Sequence, residues 1–91
     1  MSAAVRRRVL VDGRVQGVLF RESCRRKALS AGLSGWARNL DDGRVEVVVE
    51  GAVDDVDGLV AWCRTGPKHA VVTAVQVIDE RPEGIDGFRT C

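Results

Sequence analysis

The 91 residues are 45% hydrophobic and 30% charged, the ordinary balance of a globular chain with one modest core, and residues 1–91 read as a single domain. A formal net charge of +1 lacks the basic excess of a general nucleic-acid binder, and no apolar run is long enough to cross a bilayer. Arg6, Arg7 and Arg8 stand where a signal peptide would need its apolar segment, and Cys24, Cys63 and Cys91 lack metal-ligand spacing, so free thiols and a cytoplasmic location are expected.

Residues 1–4 carry no organising pattern and are expected to fray. From Arg8 to Asp12, Val9 and Val11 share one face and Leu10 takes the other, as in an interior strand. Gly13 and Gly17 then punctuate a loop that runs to Phe20-Arg21. From Arg21 to Ala31 the period becomes helical. Cys24 and Ala28 continue from Phe20 and lead to Gly32, a C-terminal stop, while Leu29 and Leu33 widen the stripe. The Arg25-Arg26-Lys27 run reads as a solvated helix face. Ser34 to Leu40 is a strand, and Asp41-Asp42-Gly43 is the hairpin turn after it.

The next strand puts Val45, Val47 and Val49 on one face, Glu46 and Glu50 on the other, and ends at Gly51. A second helix is predicted with Asp54 as its N-cap and Val53, Val56, Leu59, Val60 and Cys63 as its apolar stripe. Its acidic start and Arg64 at its end suit the helix dipole, and Gly66-Pro67 stops it. Val71 to Glu80 is a long β-branched strand, residues 82–87 are a loop, and Phe88 to Cys91 is a short last strand. Right-handed crossovers turn this order into an α+β fold: a ferredoxin-like βαββαβ sandwich, with an antiparallel sheet and both helices on one face.

A glycine-punctuated loop between a strand and a helix start can aim successive backbone N–H groups at one point, with the positive end of the helix dipole behind them. Arg21 adds a permanently charged fork suited to two phosphate oxygens. Spacing alone favours a plain structural turn, since isolated Gly-x-x-x-Gly turns are common. The stretch Gly13-Arg14-Val15-Gln16-Gly17-Val18-Leu19-Phe20-Arg21 is followed, however, by Gly35-Trp36-Ala37-Arg38-Asn39 and Asp42-Gly43-Arg44-Val45-Glu46. Together these blocks resemble the signatures of the acylphosphatase family, and a late Gly66-Pro67 and Gly87-Phe88 extend the resemblance along nearly the whole chain.

That resemblance implies the same ferredoxin-like fold and metal-independent hydrolysis of a small acyl phosphate to carboxylate and inorganic phosphate. It assigns phosphate binding to Arg21 and orientation of the attacking water to Asn39. The loop residues Gln16, Gly17, Val18, Leu19 and Phe20 form the substrate cradle. The chemistry is consistent with these roles. The carboxylate of an acyl phosphate leaves readily, so the reaction mainly asks for positioning and for charge stabilisation on the equatorial oxygens. An amide can hold a water without being a strong base.

No cofactor and no metal are expected, since neither Asp41-Asp42 nor the single His69 belongs to a ligand set. Trp36 and Phe20 read as packing residues. Glu22 either pairs with Arg21 or repels substrate, and Ala37 stands where the family commonly has Val. The expected partner is a small molecule and the expected state a monomer. A non-catalytic anion-binding module of the same fold is the alternative. A single-stranded RNA binder would need aromatic platforms that two Phe, two Trp and no Tyr do not supply.

Overall fold

A computed structural model describes residues 4–91. The elements in order are β1 (Val5–Arg14), α1 (Phe20–Ser30), β2 (Ser34–Asn39), β3 (Val45–Gly51), α2 (Val53–Cys63), β4 (Val71–Glu80) and β5 (Phe88–Thr90). Apart from the exposed Ala4, the segment expected to fray lies outside the described residues.

One sheet carries all the strands in the order β4-β1-β3-β2-β5. β1 pairs antiparallel with β3 and β4, and β2 pairs antiparallel with β3. The sandwich is as expected, but the sheet is mixed: β5 lies parallel to β2. Residues 81–87 carry the chain from the β4 edge to the far edge, where β5 has β2 as its neighbour.

The alternation of Val45, Val47 and Val49 sets the inner layer. These side chains are fully buried with Val9, Val11 and Ala37, against Phe20, Cys24 and Ala28 of α1 and Val56, Leu59 and Cys63 of α2. Full burial of each such aliphatic side chain contributes roughly 1.5–3 kcal/mol. Leu29, placed in the stripe by its spacing, is instead 46% exposed, so α1 buries a narrower face. Cys24 and Cys63 are free and buried. A hydrogen bond with Cys63, together with burial, pushes the Cys24 thiol far up.

The helix-free face holds what alternation alone did not disclose. Glu46 and Glu50 are both 5% exposed there, and Arg6 only 4%. Arg6 bonds Glu50 and Glu80, each at 2.8 Å, and Arg8 bonds Glu46 at 2.7 Å and Glu80 at 2.6 Å. Glu50 also accepts the backbone N–H groups of Glu83, Gly84 and Ile85, which ties the crossing segment to the sheet. Buried charges are tolerated because each is paired and hydrogen-bonded.

Several boundaries differ from the sequence reading: β1 begins at Val5 rather than Arg8, α1 at Phe20 rather than Arg21, β2 ends at Asn39 rather than Leu40, and β5 at Thr90 rather than Cys91. β1 continues to Arg14 through a register shift between Asp12 and Gly13, so that Gly13 and Arg14 still pair with Val72 and Val71. α2 begins at Val53 with Ala52 at its N-cap and no side-chain cap bond. Gly51 closes β3 only one residue before that cap, which puts Asp54 and Asp55 inside the first turn. Their charge still suits the dipole there.

Candidate active site

The bulge at the end of β1 determines where the loop starts. Gly13 has φ +124°, and a Cβ there would stand 2.0 Å from the Val71 carbonyl oxygen, so the chain turns at a position only glycine can occupy. Further on, Gly17 has φ +76° and Leu19 φ +64°; Leu19 is the one non-glycine residue in the left-handed region among the described residues. Such a conformation costs a leucine about 1–2 kcal/mol. Its side chain is 75% exposed, so no burial of its own offsets that cost. What the strain achieves is tight curvature at the N-cap of α1. Turns of this kind bring neighbouring N–H groups to one side, next to the first-turn amides of a helix that have no intrahelical acceptor.

The concavity is a cavity of about 230 Å³. Val15, Gly17, Leu19 and Phe20 form its loop wall, Arg21 and Glu22 its helix wall, and Asn39 and Thr90 complete it. Sequence positions far apart meet because β2 carries Asn39 at its last residue and β5 lies alongside β2. Phe20, 1% exposed, forms the floor with its ring 5.1 Å from that of Trp62, tilted by 50°. It is packing, as expected, as well as wall.

Arg21 donates from Nη1 to the main-chain oxygen of Cys91 at 2.6 Å. This leaves its other N–H groups for a ligand. Glu22 does not pair with Arg21. Arg25 Nε lies 2.6 Å from its carboxylate and Arg26 Nε 3.8 Å, and the Arg25 hydrogen bond holds Glu22 below the usual carboxylate range. Repulsion of an anion by Glu22 is correspondingly reduced.

Asn39 is exposed, and the turn after it does not need its amide. Asp42 Oδ1 accepts the Arg44 N–H at 3.1 Å, while backbone bonds join Leu40 to Arg44 and Gly43 to Leu40. Gln16 and Val18 are not among the cavity walls. Val18 packs against the edge of the core. The Gln16 side chain is engaged elsewhere, as Nε2 donates to the carbonyls of Leu40 at 2.8 Å and Arg44 at 3.0 Å. It stitches the loop to the turn that follows Asn39.

Sequence reasoning missed Thr90, the Cys91 contact and this stitch. Thr90 was accessible in principle, because it alternates with the buried Phe88 and so faces the same side of β5. Among the described residues no cluster of His, Cys, Asp and Glu is arranged to hold a metal ion, and the lone His69 is exposed.

This arrangement of a curled loop, a helix start, an arginine and a facing amide can hold a tetrahedral anion and place a polar group beside it. The acylphosphatase family model matches residues 7–90. The acylphosphatase of Haloarcula marismortui is 52% identical over 86 residues, which is 94% of each chain. Among solved structures, an acylphosphatase from Coxiella burnetii superposes with a TM-score of 0.92 at 40% identity, covering 97% of this chain and 93% of that one. An acylphosphatase from Bacillus subtilis gives 0.91 at 38% identity, with 96% and 98% covered. A fold alone carries many activities, but here fold, loop and sequence agree over almost the full length, and the chain belongs to the acylphosphatase family.

Proposed function

We propose that this protein hydrolyses a small acyl phosphate to a carboxylate and inorganic phosphate, with Arg21 binding the phosphoryl oxygens and Asn39 orienting the attacking water. The observation that carries this reading is the meeting of Arg21 and Asn39, eighteen positions apart, on the walls of one cavity whose third side is the left-handed loop. The loop amides and the α1 N-terminus stabilise charge on the equatorial oxygens, and the Arg21 guanidinium adds its two-pronged contact. Charge-assisted bonds of this kind strengthen as charge grows toward the transition state. Water held by the Asn39 amide attacks phosphorus in line with the departing carboxylate, which needs no acid to leave. The P–O bond to the acyl oxygen breaks as the bond to water oxygen forms, and the water proton passes to solvent or phosphate.

The backbone of Gln16, Gly17, Val18, Leu19 and Phe20 forms the cradle in this reading, and Gln16 contributes a second function through its side chain. A cytoplasmic monomer acting on a free metabolite, without nucleic acid, metal or cofactor, fits the near-neutral charge and the three unbridged cysteines. Phosphate release from benzoyl phosphate is the direct test. Turnover that persists after exhaustive chelation is expected; turnover lost to EDTA and restored by a divalent cation would overturn the mechanism. A non-catalytic anion-binding module would bind inorganic phosphate and release none from the substrate.

A further inference from the structure

A second cavity, of about 350 Å³, lies on the helix-free face of the sheet and is lined by Arg8, Trp36, Arg38, Arg89 and Cys91. The strand registers explain how it is assembled. Arg8 pairs with Val48, Val48 with Trp36 and Trp36 with Arg89, so these residues form one row across β1, β3, β2 and β5. Cys91 bonds its N–H to the Ala37 carbonyl at 3.0 Å, which brings it level with Arg38 in the adjoining row.

Charge on this face is divided unevenly. Three carboxylates, Glu50, Glu80 and Glu83, lie within 4.0 Å of the single guanidinium of Arg6. At the cavity carboxylates are fewer than guanidinium groups. Arg8 pairs with Glu46 at 2.7 Å and with Glu80 at 2.6 Å, Arg38 shares Glu46 at 2.7 Å, and the exposed Arg89 forms no ion pair with a described residue. Both oxygens of Glu46 are already engaged, since Trp36 Nε1 also donates to one of them at 3.3 Å. That carboxylate therefore has little capacity to neutralise Arg89, and Arg38 keeps a side chain that is half exposed.

The indole of Trp36 is held in place by that hydrogen bond and by the Arg6 guanidinium, 5.3 Å from its ring centroid. Arg6 belongs to the row of Ser34 and Glu50, on the side of Trp36 away from Arg38 and Cys91. The cavity thus has a fixed aromatic wall beside the half-exposed Arg38 and the unpaired guanidinium of Arg89. Aromatic and guanidinium planes offer stacking to a flat ring, and the guanidinium fork bonds an oxyanion.

We propose that this cavity is a second anion site, which takes a planar aromatic ring bearing a phosphate or carboxylate group. The proposal does not depend on the roles given to Arg21 and Asn39. The two sites meet at Cys91, whose main-chain oxygen bonds Arg21 while the residue lines the second cavity, so a test must hold the first site occupied.

Phenyl phosphate and adenosine monophosphate are the probes, titrated into the full-length protein with saturating inorganic phosphate and followed by amide and indole NMR signals. The indole N–H of Trp36, distinguished from that of Trp62 by a Trp62→Phe variant, should shift together with the amides of Arg89 and Cys91. Arg89→Ala, at an exposed position on an edge strand, should fold normally and weaken both probes by about tenfold or more, the scale of one lost charge-assisted bond. Tighter binding of the nucleotide would assign the site to nucleotides, and tighter phenyl phosphate binding to simple aryl anions. The proposal is overturned by unmoved Trp36, Arg89 and Cys91 signals at millimolar probe, by shifts indifferent to Arg89→Ala, or by equal shifts from inorganic phosphate alone, which would leave the ring no role.

Discussion

Replacing Gln16 by Met removes two hydrogen-bond donors and keeps the side-chain volume. In the parent, Nε2 spans from the loop to the carbonyls of Leu40 and Arg44. Each such bond contributes on the order of 0.5–1.5 kcal/mol, so together they bracket about 1–3 kcal/mol. Neither carbonyl would be orphaned. Leu40 oxygen still accepts the Gly43 N–H at 3.1 Å, and Arg44 oxygen the Leu40 N–H at 2.8 Å. The desolvation penalty of an unsatisfied acceptor therefore does not apply, and the loss should fall at about 1–2 kcal/mol. Leu40 directly follows Asn39, so slack between the loop and this turn would displace the Asn39 amide from the position proposed for it beside the phosphorus. If most of the lost energy is expressed in the transition state, turnover on benzoyl phosphate drops by roughly five- to thirtyfold. Inhibition by inorganic phosphate should stay within about twofold, because the Arg21 contact and the loop amides remain. Turnover, phosphate inhibition and urea unfolding measured on the same two preparations separate the cases. A Gln16→Met protein with parental turnover, or one that loses phosphate affinity in step with turnover, would refute this positioning role.

Arg21→Gln should weaken inorganic phosphate binding and turnover together, by about 1.5–3 kcal/mol for each charge-assisted bond removed, and Arg21→Lys should also be poor because an ammonium lacks the fork; unaltered phosphate inhibition in Arg21→Gln would exclude the anion-cradle assignment. Asn39→Ala should fold and bind phosphate nearly as the parent does while turnover falls roughly a hundredfold or more; a variant that is only less stable would retire Asn39 as a catalytic residue. Acid should unfold the protein through its charged face. Burial pushes Glu46 and Glu50 upward, but hydrogen bonds from Arg38, Trp36 and Arg8 to the first, and from Arg6 and three amides to the second, bring both below the usual carboxylate range; bonds from Arg8 and Arg6 do the same for Glu80. Folded-state values below the unfolded ones mean stability that is present above the ordinary carboxylate value of 4.5 and lost as pH falls through the depressed range. Melting temperature followed downward from pH 6 should drop below about pH 4.5, and less steeply in Glu50→Gln; an unchanged slope in that variant would remove Glu50 from the explanation.

Most of the architecture was legible because period alone separates the elements. Val45, Val47 and Val49 alternate cleanly, Cys24 and Ala28 recur at helical spacing, and Asp-Gly marks the hairpin. Sheet closure was less accessible. The direction of β5 depends on where residues 81–87 cross, and that path is pinned by backbone donors to Glu50, a long-range contact with no local signature. Leu29 shows the same limit: helical spacing marks it as apolar-face, yet it stays 46% exposed in the folded chain. Within the site, Arg21, Asn39 and the loop were marked by motif. The side-chain stitch of Gln16 was not, because a polar residue in a phosphate-type loop reads equally well as a ligand donor. Only the partner carbonyls, 24 and 28 residues away, tell the two apart.

The distribution of strain and stabilisation across the fold follows from what phosphoryl chemistry requires. The proposed cradle of backbone amides has to be curved, and here curvature means glycines at positive φ and a leucine at φ +64° with its side chain 75% exposed. Within the loop Val15 is buried and Val18 packs against the core, but Gly17 and Leu19 at its strained turn are exposed, and that turn would relax if the ends were free. Its ends are not free. β1 enters from between two antiparallel partners, with Val9 and Val11 fully buried, and Phe20 leaves it as the first residue of α1, packed on Trp62. The charged face works on the same strand from the other side, since Arg6 and Arg8 join β1 to β3 and β4 through Glu46, Glu50 and Glu80. Breaking the buried Arg6–Glu50 pair costs about 3–5 kcal/mol, more than the strain held at Leu19. The loop can therefore stay strained only while β1 stays fixed, which ties the geometry of the proposed site on one end of the sheet to ion pairs on the helix-free face.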